Sequence, residues 1–259
     1  MTQTPIPNIP DLPPQLSELI KNAQVYDSSC SNLARVYYID SGAGLYLKTA
    51  PRGTLERQAQ MTRFFASRGL SSQVLDYLQL ECDWLLTEAV RGDDCIAERY
   101  LSDPARLCDT IAEVMVQLHS LPTDGCPDQN RTEEYLRSVQ QGYEQGKFYT
   151  RDLAGTGIIA PQQAYRLVMD NRGLFEQNCL IHGDFCLPNI MLDGWRFSGF
   201  IDLDHAGVGD RHIDVYWALW SLKFNLRTDI YAERFMQAYG KDRIDPRMLH
   251  IITAAEAFG

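Results

Sequence analysis

Not one C-x-x-C pair occurs among the seven cysteines of this 259-residue chain (Cys30, Cys82, Cys95, Cys108, Cys126, Cys179 and Cys186), and their number is odd. Zinc-ligand spacing and a paired disulfide framework are therefore both missing, which leaves a reduced thiol population packed as small apolar side chains. A basic excess is also lacking: 24 Lys+Arg face 34 Asp+Glu, a formal net charge of −10. A surface that tracks phosphates needs the opposite balance, so nucleic acid is not an expected partner; a cationic small-molecule substrate is. No run approaches the length of apolar sequence that spans a membrane. Met1 to Pro14 carries five prolines and no basic residue, unlike a signal or transit peptide. The resulting expectation is a cytoplasmic protein, a monomer or weak dimer, with no membrane partner. There is no Walker G-x-x-x-x-G-K-S/T, which excludes a P-loop kinase. At 45% hydrophobic and 22% charged residues, the composition excludes a disordered chain, a collagen and a coiled coil.

The patterns that are present change character along the chain. After a short helix near Gln15–Asn22, Ala34–Asp40 reads as a strand rich in valine and tyrosine. Ser41-Gly42-Ala43-Gly44 is a turn signal, and Leu45-Tyr46-Leu47-Lys48 returns as a second strand. Thr54–Arg68 fits a helix, and Val74–Leu80 and Trp84–Ala89 fit two more strands. From Asp103 the periodicity turns helical: Pro104 follows an N-cap residue, and Leu107, Ile111, Val114, Met115 and Leu118 share a face. Further helices are expected at Thr132–Tyr143, Pro161–Phe175, Asp229–Tyr239 and Pro246–Ala257. The architecture expected is α+β: a small antiparallel-sheet N-terminal lobe over residues 1–90, a hinge near 87–94, and a mainly helical C-terminal lobe over 91–259.

The block that carries chemistry is Ile181-His182-Gly183-Asp184-Phe185-Cys186-Leu187-Pro188-Asn189, followed by Phe200-Ile201-Asp202-Leu203-Asp204. Phosphoryl transfer from a nucleoside triphosphate needs a carboxylate that orients the acceptor and oxygen ligands for Mg²⁺. Asp184 and Asn189 have the D-x-x-x-x-N spacing of a kinase catalytic loop, and a hairpin turning at Asp193-Gly194-Trp195 can return Asp202 beside Asn189. Each residue alone has an ordinary structural reading as a turn, a cap or an ion-pair partner. In this order, between apolar strands, the set points to catalysis.

The run His182–Asn189, then Ile190-Met191-Leu192-Asp193 and Arg196-Phe197-Ser198-Gly199-Phe200-Ile201-Asp202, resembles the aminoglycoside phosphotransferase family, and in wording the aminoglycoside 3′-phosphotransferases. Leu45-Tyr46-Leu47-Lys48, Leu85-Leu86-Thr87-Glu88-Ala89 and Leu118-His119-Ser120 extend the likeness. It implies a protein-kinase-like fold, ATP or GTP as co-substrate with Mg²⁺, and phosphorylation of a hydroxyl on a small molecule. By the same likeness Asp184 would accept the acceptor's proton, and Asn189 and Asp202 would hold metal. Lys48 would reach the phosphates, Tyr46 would stack on the purine, and the backbone of Thr87–Ala89 would bond the adenine edge. The segment Ser28-Ser29-Cys30-Ser31-Asn32, Ser31 included, is the candidate phosphate loop, although it lacks glycine.

Three positions depart from the family's pattern. Gln58 stands where a glutamate pairs with the strand lysine, and Glu56 lies about 200° round the helix from it. Either Glu56 serves, or Gln58 holds Lys48 by a neutral hydrogen bond. Asp204 and His205 replace a glycine and an arginine, and His205 is expected to hydrogen-bond Asp202 or Asp184. Lys223-Phe224-Asn225 stands where an acidic ligand is expected. Glu256, Asp204 and the Gly259 terminus would supply carboxylates for a cationic acceptor. An aminoglycoside modified in the 3′ manner is the acceptor the resemblance implies. The alternatives are choline, an amino alcohol or a sugar, or a catalytically silent nucleotide-binding homologue.

Overall fold

The computed structural model describes residues 4–30, 33–151 and 153–259. The chain divides into one unit formed by Met1–Gly92 and Ser198–Asp204 and a second formed by Asp93–Phe197 and His205–Gly259.

The first unit is built on the strands β1 (Thr4–Ile6), β2 (Gln24–Asp27), β3 (Arg35–Asp40), β4 (Leu45–Pro51), β5 (Val74–Gln79) and β6 (Cys82–Glu88), in the order β1-β2-β3-β4-β6-β5, with antiparallel pairing throughout. Strand alternation sorts the side chains by face. Leu47, Trp84 and Leu86 bury one face with Ile39, Val25, Ile9 and Leu16, the last on the one-turn helix α1 (Pro14–Ser17). Ala50 and Leu85 point to the other face and pack on Leu55 and Ala59 around helix α2 (Glu56–Ala66). Lys48 lies directly across from Leu85, which puts it on the α2 side. The two-strand extension β1–β2 is not anticipated by the sequence, and for β1 the prolines of the lead argue against pairing. Pro5 sits in β1, the edge strand, where a missing N–H costs no ladder bond.

The second unit holds β7 (Asp93–Asp94), α3 (Glu98–Leu101), α4 (Pro104–His119), α5 (Arg131–Glu144), α6 (Pro161–Asp170), β8 (Cys179–Ile181) and β9 (Ile190–Asp193). After β10 (Arg196–Phe200), which ends in the first unit, come β11 (Gly207–Gly209), α7 (Arg211–Leu226), α8 (Ala232–Tyr239) and α9 (Pro246–Ala255). Asp103, Asp210 and Asp245 accept from the backbone N–H of Arg106, His212 and Arg247, and so cap α4, α7 and α9. A central core gathers Tyr135 and Val139 of α5, Val168 of α6, Ile213 and Tyr216 of α7, Ile252 of α9 and Phe258. The helix expected over Pro161–Phe175 stops at Asp170 and continues as a 3₁₀ turn, Arg172–Leu174. Gly194 (φ 55°) and Trp195 (φ 70°) give the β9–β10 turn the two left-handed residues that a tight hairpin favours. Among the described residues no helix is long and apolar enough to cross a membrane.

The N-terminus of α2, which carries Gln58, has no side-chain cap of its own. The fully buried Asp83 of β6 compensates by accepting the Leu55 N–H at 2.9 Å. Asp83→Ala should lower unfolding free energy by about 1–2 kcal/mol, read as a fall in the urea midpoint.

Candidate active site

In the first unit three of the expected residues meet. Lys48 Nζ donates to Gln58 Oε1 at 2.8 Å and to Asp202 Oδ1 at 2.9 Å, and Gln58 Nε2 also lies 3.3 Å from Asp202 Oδ1. The question of Glu56 against Gln58 is thereby answered: the buried amide takes the lysine, and the exposed Glu56 accepts from Gln60 instead. Asp202 has φ 58°, a left-handed conformation costly for a residue with a side chain and typical of functional positions. Its carboxylate is half exposed.

Tyr46 lies on the same face as Lys48, opposite Tyr38 on one neighbouring strand and Thr87 on the other. Tyr26, Tyr38 and Tyr46 form a cross-strand row with ring centroids 6.0 and 5.2 Å apart. One expected donor is already engaged: the Ala89 N–H donates to the Gly44 carbonyl at 2.9 Å. In the candidate phosphate loop, Ser29 Oγ accepts the Val36 N–H at 2.9 Å, while Ser31 lies outside the described residues.

In the second unit Asp184 and Asn189 meet. Asn189 Nδ2 donates to Asp184 Oδ2 at 2.8 Å and to the Asp184 carbonyl at 3.0 Å, so its own Oδ1 points to neither. The loop that carries them leaves β8 through Gly183, at φ 79°, where an added Cβ would sit 2.0 Å from the His205 carbonyl oxygen. Only glycine fits there.

What holds this loop is a residue the sequence reading passed over. Asp214, in the first turn of α7 and fully buried, accepts the His182 N–H at 2.8 Å and the Gly183 N–H at 2.7 Å. His119 Nε2 lies 3.1 Å from the same carboxylate, and its Nδ1 lies 2.8 Å from Tyr239 Oη. A carboxylate only accepts, so Nε2 carries a proton. Burial pushes the Tyr239 phenol up to about 12, so it keeps its proton. The available signal was an aspartate embedded in the apolar run Ile213-Asp214-Val215-Tyr216-Trp217.

The acidic residues expected around the acceptor are dispersed differently. Glu256 Oε1 accepts from Tyr135 Oη at 2.7 Å, and burial with this carboxylate keeps the phenol's pKa well above its usual value. A side chain on Gly259 would meet Glu256 Oε2 at 3.5 Å, so these two positions are adjacent. Asp204 lies in the 3₁₀ turn Leu203–His205. His205 Nδ1 takes a hydrogen bond from Arg131 Nη2 at 3.0 Å; a guanidinium only donates, so Nδ1 is the unprotonated nitrogen. Asn225 turns inward and donates to the Ser221 carbonyl at 2.8 Å.

A helical unit whose catalytic-loop spacing is held by a buried helix aspartate, and a sheet unit with a lysine–aspartate pair, define a phosphotransferase of the kinase-like kind. A sequence model of the family described as Phosphotransferase enzyme family matches residues 26–250, and the chain belongs to that family. It is 42% identical over 253 residues to the probable aminoglycoside 3′-phosphotransferase of Lactococcus lactis, covering 97% of each chain. Among solved structures it is similar to an aminoglycoside-3′-phosphotransferase of type VIII, with a TM-score of 0.74 at 21% identity over 95% of this chain and 97% of that one. An aminoglycoside phosphotransferase from Streptomyces rimosus, in complex with ADP and streptomycin, gives 0.68 at 23% identity over 85% and 90%. The expected α+β, protein-kinase-like fold is borne out.

Asp214→Ala should remove three acceptor contacts and leave two loop N–H groups unpaired, at a cost of about 3 kcal/mol or more. Gly183→Ala meets both a left-handed backbone and an immovable carbonyl, for about 2 kcal/mol or more. Chemical denaturation of both variants checks these losses.

Proposed function

We propose that the chain transfers the γ-phosphoryl group of ATP or GTP to a hydroxyl of an aminoglycoside, in the manner of a 3′-phosphotransferase. The observation that carries this reading is the pairing of Asp184 with Asn189 in a chain 42% identical, end to end, to a probable aminoglycoside 3′-phosphotransferase. Asp184 accepts the proton of the attacking hydroxyl on the oxygen that Asn189 leaves open. Lys48 shifts from Asp202 toward the nucleotide's phosphates, with Gln58 holding its ammonium in place. Tyr46 lies against the purine, and the Thr87–Ala89 carbonyls face its amino edge.

The residue types suit Mg²⁺: Asp202 in the first unit and Asn189 in the second each carry hard oxygen donors of the kind that ion takes. Among the described residues no three His, Cys, Asp or Glu side chains cluster as a resident metal site would, so phosphate and water oxygens would complete the shell. The ion, when bound, neutralises charge on the phosphates during transfer. Glu256 favours a polyamine acceptor, whose ammonium groups seek carboxylates. Aminoglycoside resistance in the cytoplasm, by a monomer or weak dimer, is the biological role this reading implies.

A coupled nucleotide-turnover assay across aminoglycosides, choline, amino alcohols and simple sugars tests it, with kanamycin or neomycin expected to stimulate. Turnover of another acceptor with kanamycin at the buffer rate would reject the antibiotic and keep the kinase. Asp184→Ala should lower kcat by about 10²–10⁴ while leaving nucleotide affinity intact, whereas Asp202→Asn should weaken Mg²⁺–nucleotide binding, measured by calorimetry.

A further inference from the structure

Helix α5 and the C-terminal 3₁₀ turn Glu256–Phe258 are built against each other along one stripe. Tyr135 and Gly142 stand seven residues apart on α5, two turns along nearly the same face, with the buried Val139 between them. Gly142 lets the backbones close up: a Cβ there would sit 2.1 Å from the Phe258 carbonyl oxygen. The segment after α5 adds a second tie, the Tyr149 N–H donating to the Ala257 carbonyl at 2.8 Å. The Phe258 ring then seats among Tyr143, Phe148 and Tyr165, with centroids 5.8, 6.0 and 6.3 Å away. Of residues 254–258 only Glu256 is not buried.

The other end of the stripe meets that side chain. Tyr135 Oη donates to Glu256 Oε1 at 2.7 Å, from a ring that is itself buried and packed on Phe175. Burial, reinforced by the carboxylate beside it, holds the phenol well above its usual pKa, so it stays a donor at neutral pH. The charge on Glu256 also reaches the catalytic loop, where it opposes ionisation of Cys186, two residues beyond Asp184.

We propose that Tyr135 is a positioning residue: its buried phenol fixes the Glu256 carboxylate where it takes an ammonium group of the acceptor. A glutamate must freeze several side-chain torsions to grip a ligand, and a mount built into the fold removes that loss in advance. A phenol is a neutral donor, so it orders the carboxylate without cancelling the charge that the ammonium seeks. The inference rests on the reading of Glu256 as an acceptor ligand in an aminoglycoside phosphotransferase.

The test measures binding of kanamycin or neomycin to the full-length protein by calorimetry, beside kcat. The variants are Tyr135→Phe, Glu256→Gln, Glu256→Asp and the double variant Tyr135→Phe with Glu256→Gln. Tyr135→Phe keeps the ring in the core and removes only the donor. Kd for the aminoglycoside should rise about tenfold, with kcat at saturation within about threefold of the parent and nucleotide affinity unchanged. Glu256→Asp keeps the charge but falls one methylene short of the phenol, and should weaken binding by a similar factor. It leaves every core side chain in place, so its answer stands even if Tyr135→Phe folds poorly. Glu256→Gln should weaken binding at least as much, and adding Tyr135→Phe to it should change Kd by less than about twofold, because the phenol acts only through the carboxylate. Tyr135→Phe or Glu256→Asp binding like the parent, or a full tenfold further loss in the double variant, would each overturn the proposal. A parent that binds neither aminoglycoside removes the acceptor reading and this proposal together. Binding without turnover rejects the transfer reaction alone, and Kd then decides the role of Tyr135 in the same way.

Discussion

The second unit depends on one buried carboxylate. Asp214 binds two successive backbone N–H groups at the start of the catalytic loop and the ring of His119, with no water exposure. A buried anion with three donors is favourable only while all three remain in place, so it ties the helices carrying His119 and Asp214 to the strand that ends at Ile181. The loop's departure angle is then fixed from two sides, by Asp214 beneath Gly183 and by the His205 carbonyl against the space a Cβ would need. Asp184 takes its position from these constraints together with Asn189, whose amide binds both its carboxylate and its carbonyl.

Much of this was legible because it is local. The spacing of Asp184 and Asn189 falls within one loop, and a contact five residues apart survives most uncertainty about the rest of the fold. The tight turn at Asp193-Gly194-Trp195 was equally plain, since Asp-Gly is a turn signal, although the residue type of Trp195 does not announce its positive φ. The resemblance placed Gln58 beside the strand lysine and helical phase set Glu56 on another face; choosing between them required knowing which face of α2 meets β4.

What was not legible depends on distant partners. Asp214 reads from the sequence as one acid in an apolar stripe, and its function exists only once β8 and α4 arrive beside it. The Ala89 amide looked free because its acceptor, Gly44, is 45 residues earlier, one step beyond the last β4–β6 pair. The strand β1 was hidden by a proline that an edge position tolerates. Phe224 and Asn225 were read by alignment with an acidic site; in the helix Asn225 instead faces its own backbone at Ser221.

The neutral side chain at position 58 has an electrostatic consequence for the first unit. Lys48 and Asp202 sum to zero charge, and Gln58 adds dipoles but no net field at long range. A glutamate there would leave the trio at minus one. To an approaching polyanion about 5 Å away, that single charge would be worth roughly 3 kcal/mol of repulsion at an effective dielectric near 20. The chain therefore offers phosphates a local potential close to electroneutral, despite a molecule that carries −10 overall.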